Sequence, residues 1–286
     1  MKNLIWLVSY PKSGNTWFRM FLANYQKNLP MPISLAEIEP TPIASSSVGF
    51  EETIGLNPFD LTPKEVDMYR PEMYRAISIG TEKENKDLYC KAHDAYTLNE
   101  ANEPIFPEDV SKKAIYFVRN PLDVCVSYAN HSTLNIETTV NLLLNEKTFL
   151  NGKRNRQLPQ KLLSWKSHID SWQQQSSIST HFTRYEDMQI KPVETFGTII
   201  QYLGLEDNDE RLAKAIAFSD FSILQQMEQK DGFSEKMDSC NSFFWKGKIG
   251  NYRNYLSPKQ VERIVEYNYD KMKEFGYIDE QGHLTV

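Results

Sequence analysis

Three stretches of this 286-residue chain have the make-up of anion sites. The first is Tyr10-Pro11-Lys12-Ser13-Gly14-Asn15-Thr16-Trp17, set between the apolar run Leu4–Val8 and a helical pattern carried by Trp17, Met20, Phe21 and Tyr25. A loop feeding a helix N-terminus presents backbone N–H groups and the positive end of the helix dipole, which suits phosphate or a similar anion. Lys12 adds a charge there, and Ser13, Asn15 and Thr16 add side-chain donors. It is not a Walker A loop, because Lys12 precedes the only glycine. The second stretch is Arg119-Asn120-Pro121-Leu122-Asp123-Val124-Cys125-Val126-Ser127-Tyr128. Arg119 can fork onto a phosphate, Ser127 lies about two helical turns beyond Pro121, and Asp123 caps or favours the helix start. The third, Phe243 to Asn254, interleaves Gly247 and Gly250 with Lys246, Lys248 and Arg253. Each stretch also has a plainer reading: an ordinary turn, a surface ion pair, a solvated basic loop.

The elements that would position these residues follow from periodicity and punctuation. Leu4–Val8, Leu88–Ala92, Ala114–Val118 and His181–Tyr185 read as short strands, the first three buried. Helices are expected from Thr16, from Pro121 to about Asn130, from Pro159 through Trp172, from Pro192 to Gly204 and over Arg211–Phe218. The last helix has Ser257 as N-cap, Pro258 as first residue and Gly276 at its end. Residues 30–63 read as an irregular, flap-like surface segment rich in proline, 145–159 as a polar basic loop and 229–242 as a mobile one. Strands alternating with helices imply an α/β fold with a mostly parallel central sheet flanked by helices. Ligands in such folds bind beyond the C-terminal ends of the strands. No linker-like tract divides the chain, so one domain over 1–286 is expected.

Composition narrows the function. Lys plus Arg is 32 and Asp plus Glu is 38, a formal net charge of −6, which argues against a general nucleic-acid binder. With 40% hydrophobic and 12% aromatic residues the chain is not disordered. Three widely spaced cysteines without a CxxC predict neither a disulfide framework nor a metal site, and fit a reducing compartment. No apolar run is long enough for a membrane span, so a cytoplasmic protein is expected.

Taken together, the motifs resemble one family. From Tyr10 to Asn254, and in the family's order, the chain is similar to the PAPS-dependent sulfotransferases of the cytosolic type, whose fold is P-loop-like. The first loop resembles YPKSGTTW, with Asn15 the one departure, and the resemblance implies that Lys12, Ser13, Gly14, Asn15, Thr16 and Trp17 hold the 5′-phosphosulfate. The second resembles RNPxDVxVSY, implying Arg119 and Ser127 on the 3′-phosphate. Lys91-Ala92-His93 resembles KTH, implying His93 as the catalytic base. Tyr185-Glu186-Asp187-Met188 matches YEDM, implying Tyr185 near the adenine, and Phe221 fits the family's stacking aromatic. The third stretch resembles RKGxxGDWK, implying Lys246 and Gly247 on the nucleotide, but Trp245 stands at the arginine position. No dimerisation segment is recognisable beyond it, so the oligomeric state stays open.

The implied chemistry is in-line sulfuryl transfer, analogous to phosphoryl transfer, in which positioning and electrostatics dominate. Lys12 is assigned to the leaving oxygen and His93 to the acceptor's proton. Lys91 lies two residues from His93, on the same side of its strand, and is assigned to the transferring group. No metal is required, and PAP is the product. The acceptor would be a small molecule with a hydroxyl or amine, such as a natural product or alkaloid, met by the 30–63, 131–160 and 229–242 regions. Two other readings stay open. A P-loop kinase or NTPase would show Mg²⁺-dependent ATP turnover; an idle PAP-binding protein would bind PAP without forming product.

Overall fold

Six consecutive buried residues, Leu4–Ser9, form β1. A strand with no polar face can only sit inside a sheet covered on both sides. The computed structural model places it there, in the order β2-β1-β3-β6, with β2 Leu88–Ala92, β3 Ser111–Val118 and β6 Thr180–Arg184. β1 pairs with β2 in parallel, from Leu4 opposite Leu88 to Val8 opposite Ala92. The expected α/β class with a parallel central sheet flanked by helices is therefore what the chain adopts. The structure describes residues 2–38, 42–82, 86–150, 152, 157–236, 240 and 242–286. Residues 39–41 of the 30–63 segment, 151 and 153–156 of the 145–159 loop, and 237–239 and 241 of the 229–242 loop lie outside them.

The chain divides into two compact units, each made of three separate segments. The first comprises Met1–Tyr10, Thr41–Tyr116 and Glu146–Phe182. Its core is aromatic: Trp6 meets Tyr74 and Phe106 edge-on, at centroid distances of 4.9 and 4.8 Å. It holds two helices that the sequence reading leaves out. Helix α2, Ser47–Ile54, lies inside the segment expected to be irregular; Ser46 starts it by accepting from the Gly49 N–H at 3.0 Å. Helix α3, Pro63–Glu82, runs through Pro71, which removes only one backbone donor. The helix expected from Pro159 instead begins at Trp165. Leu163 takes a left-handed φ of 60°, Ser164 caps through the Ser167 N–H at 3.2 Å, and α6 spans Trp165–Gln174. Ahead of it, Phe149–Leu150 (β4) and Gln160–Lys161 (β5) pair as a small antiparallel ribbon.

The second unit comprises Pro11–Pro40, Phe117–Asn145 and Thr183–Val286. It carries α1 (Asn15–Lys27), α4 (Pro121–Ser132), α5 (Ile136–Leu143) and α7 (Tyr185–Ile190), then α8 (Pro192–Leu203), α9 (Asp209–Phe218), α10 (Phe221–Asp231) and α11 (Pro258–Glu274). Phe21 stacks on Phe196 at 4.1 Å and Phe18 packs on Phe117 at 4.9 Å, joining α1 to α8 and to the end of β3. Helix α11 starts at Ser257 and Pro258 as expected, and Ser257 also forms a full capping box with Gln260.

Candidate active site

The loop after β1 is shaped by two left-handed residues, Lys12 at φ 71° and Gly14 at φ 101°. Such a φ is costly for lysine and natural for glycine. Gly14 has a second reason to be glycine: a Cβ there would lie 2.8 Å from the Tyr185 ring. It gives α1 no side-chain cap, which suits a helix start that meets an anion. Ser13 is 1% exposed, and its Oγ has no hydrogen-bond partner among the described residues. A buried hydroxyl left that way costs free energy unless something else satisfies it. The Lys12 ammonium rests on Phe243, 3.8 Å from the ring centroid, a cation–π contact.

Arg119 ties this loop to the rest of the second unit. It donates through Nη1 to the Lys12 carbonyl at 2.9 Å and through Nη2 to the Lys248 carbonyl at 3.5 Å. Its guanidinium lies over the Tyr185 ring at 4.2 Å, and its buried Nε has no hydrogen-bond partner among the described residues. Tyr185 donates to the Gly247 carbonyl at 3.0 Å and accepts from Gln189 at 2.7 Å. Burial raises the Tyr185 phenol above its usual range, keeping it a neutral donor. Gly247, at φ 61°, is pressed against Phe221, whose ring a Cβ would meet at 2.5 Å. Trp17 meets Tyr185 edge-on at 5.6 Å and donates to the Ser219 carbonyl at 2.8 Å. Lys12, Gly14, Trp17, Arg119, Tyr185, Phe221 and Gly247 thus form one connected group. Lys246 lies over the Trp245 ring at 5.5 Å, and Trp245 packs on Tyr255 at 5.3 Å. Ser127 is half-buried on α4, and its hydroxyl makes no hydrogen bond among the described residues.

Asp123 does something other than cap. Asn120 is the cap of α4, accepting from the Leu122 N–H at 3.0 Å, while Asp123 accepts from the Gly250 and Tyr252 N–H groups at 2.7 and 2.9 Å. The second motif therefore fastens the third. Glu228 does the same for Phe243 and Phe244, accepting from their N–H groups at 2.6 and 2.8 Å. Glu235 accepts from the Thr16 hydroxyl at 3.4 Å and pairs with the buried Arg19. None of these carboxylate roles is readable from spacing, because each partner lies far along the chain. The Gln189 amide, by contrast, stands one helical turn from Tyr185, a spacing that the sequence shows.

In the first unit, β2 ends at Ala92 and His93 follows it. The His93 Nδ1 is 2.8 Å from the Ser9 carbonyl and 3.2 Å from the Ser9 hydroxyl. A carbonyl only accepts, so Nδ1 carries the proton and Nε2 is left as the ring's acceptor. Lys91 is 8% exposed on β2, opposite Leu7. Asp94 is engaged elsewhere: Arg70 binds it through both nitrogens at 2.6 and 2.7 Å, with both side chains 1% exposed. Among the described residues no group of three His, Cys, Asp or Glu could hold a metal ion, and no helix is long and apolar enough to cross a membrane.

A family model described as a sulfotransferase domain matches residues 2–276. The chain belongs to the sulfotransferase domain family. It is a PAPS-dependent sulfotransferase. Cytosolic sulfotransferase 17 of Arabidopsis thaliana is 23% identical, across 98% of this chain and 77% of the relative. Luciferin sulfotransferase of Photinus pyralis is 22% identical, across 96% and 73%. Among solved structures, mouse sulfotransferase SULT7A1 complexed with PAP superposes with a TM-score of 0.58 at 24% identity, covering 96% of this chain and 84% of that one. Retinol dehydratase in complex with androsterone and PAP gives 0.62 at 16% identity, covering 98% and 84%. These likenesses show that the sulfotransferase shares their fold.

Proposed function

We propose that this sulfotransferase moves the sulfuryl group of PAPS onto a hydroxyl or amine of a small-molecule acceptor, a natural product or alkaloid, with His93 as general base. The observation that carries the base assignment is the Nδ1–H bond from His93 to the Ser9 carbonyl, which leaves Nε2 as the proton acceptor. PAPS supplies the sulfuryl group and a phosphate leaving oxygen. The residues present suit it: the buried Ser13 hydroxyl and the Arg119 Nε both lack hydrogen-bond partners among the described residues. Lys12 leaves Phe243 to neutralise charge on the leaving oxygen. Ser13, Gly14, Asn15, Thr16 and Trp17 hold the 5′ end. Arg119 and Ser127, with Lys246 and Gly247, hold the 3′-phosphate; Tyr185 and Phe221 face the adenine. Lys91 stabilises charge on the transferring group. Residues 1–286 act as one sulfotransferase domain in this reading, supported by the span of the family model. Cytoplasmic action is part of it, supported by the cytosolic names of the plant relatives.

The test is His93→Ala. PAP affinity by calorimetry should stay within about twofold, while turnover falls about 10²- to 10⁴-fold. Turnover at the wild-type rate would remove His93 as the base. The acceptor is found by incubating the enzyme and PAPS with a cell extract and searching by mass spectrometry for products heavier by one sulfo group.

A further inference from the structure

His93 stands just past the last residue of β2, with its ring on Ser9. Helix α6 reaches its backbone from the other side of the sequence. The His168 Nε2 lies 2.9 Å from the His93 carbonyl oxygen. That oxygen only accepts, so Nε2 carries the proton and Nδ1 of the same ring is the acceptor. The Tyr116 hydroxyl, 2.6 Å from Nδ1, donates to it and fixes this tautomer. His168 is 0% exposed, with the rings of Tyr10 and Tyr116 edge-on at 5.5 Å on either contact. One turn along α6, Trp172 donates to the next carbonyl, that of Asp94, at 3.0 Å. The Asp94 side chain is held by Arg70 and accepts from the Lys161 N–H at 3.2 Å.

We propose that His168, locked in one tautomer by Tyr116, is a positioning residue that sets the backbone of His93 so that its Nδ1–H meets Ser9. This rests on the reading of His93 as the base. A misplacement of about 1 Å in a reacting group can cost about 10²-fold in rate, so an interior histidine that never touches substrate can govern turnover.

The test compares two amides. A glutamine in place of His168 would put an amide nitrogen near the position of Nε2 and keep the bond to His93, whereas the shorter asparagine reaches only toward Tyr116. His168→Gln is expected within about threefold of wild-type kcat. His168→Asn is expected to lose about 10- to 100-fold in kcat, with KM for PAPS and PAP affinity unchanged. Nitrogen-15 NMR of His93 reads the same event without turnover: a protonated Nδ1 in wild type and His168→Gln, and a mixture of tautomers in His168→Asn. Wild-type kcat and an intact Nδ1–H signal in His168→Asn would overturn the proposal. So would a loss in which PAP affinity falls in step with kcat. If His168→Asn does not fold, Tyr116→Phe takes its place: kcat should fall at constant KM, and an unchanged kcat would overturn the proposal. Failure of the base reading is distinguished by His93→Ala, which would then turn over normally while the NMR arm still reports the positioning.

Discussion

His168 is a fully buried group whose charge state changes below neutral pH. Burial lowers its pKa from the usual 6.5 to about 4, against the opposing hydrogen bond to the His93 carbonyl. The folded pKa is depressed, so the unfolded chain takes up a proton first as pH falls. The contribution to stability is complete above about pH 6.5 and is lost progressively toward about pH 4, about 3 kcal/mol in all. Urea melts at about pH 7 and about pH 4.5 should show this loss in wild type and a smaller one in His168→Gln. Lys12 gives a second residue-scale prediction. At φ 71° an alanine keeps the backbone cost that a glycine escapes. Lys12→Gly should therefore be about 1 kcal/mol more stable in urea than Lys12→Ala, with both variants slow in turnover. The charge and donor pattern of Lys12–Trp17 and of Arg119 was legible because it is local. Phe243 beneath the Lys12 ammonium was not, since the contact joins residues far apart along the chain.

At the scale of elements, the basic stretch after α10 is held by acidic side chains borrowed from helices. Asp123 on α4 takes the Gly250 and Tyr252 N–H groups, and Glu228 on α10 takes those of Phe243 and Phe244. Removing one charged acceptor from two donors costs about 1–3 kcal/mol. Asp123→Ala is expected to weaken PAP binding about tenfold, read by calorimetry, and to speed tryptic cleavage at Lys246, Lys248 or Arg253. Unchanged PAP affinity would mean that the stretch has no part in nucleotide binding. Elements whose ends carry their own chemistry were readable in advance: α11 has Ser257, Pro258 and Gly276, and α8 has Pro192 and Gly204. Helix α3 was not, because Pro71 inside it reads as a break, and the burial of Val66, Arg70, Met73 and Tyr74 outweighs that one lost donor. The start of α6 lies at Trp165 because Ser164, not Pro159, supplies the cap.

For the whole molecule, all three cysteines are free and buried, and burial pushes the Cys90 and Cys125 thiols up to about 12. A thiol reagent should thus leave the native enzyme untouched and label all three sites once urea unfolds it. Labelling of native protein at about pH 8 within minutes would contradict that burial. The α/β class was legible because strand and helix periods alternate along the chain. The partition into two units was not, because no run of composition marks it. The residues proposed to hold the nucleotide all belong to the unit that includes Pro11–Pro40, and Lys91 and His93 belong to the other. Each unit is stitched from three stretches, so the polypeptide changes allegiance at five junctions. An engineer wishing to graft one half of this enzyme onto a relative finds no single seam to cut: a chimaera that respects the units needs every junction matched, and a truncation removes pieces of structure rather than a module.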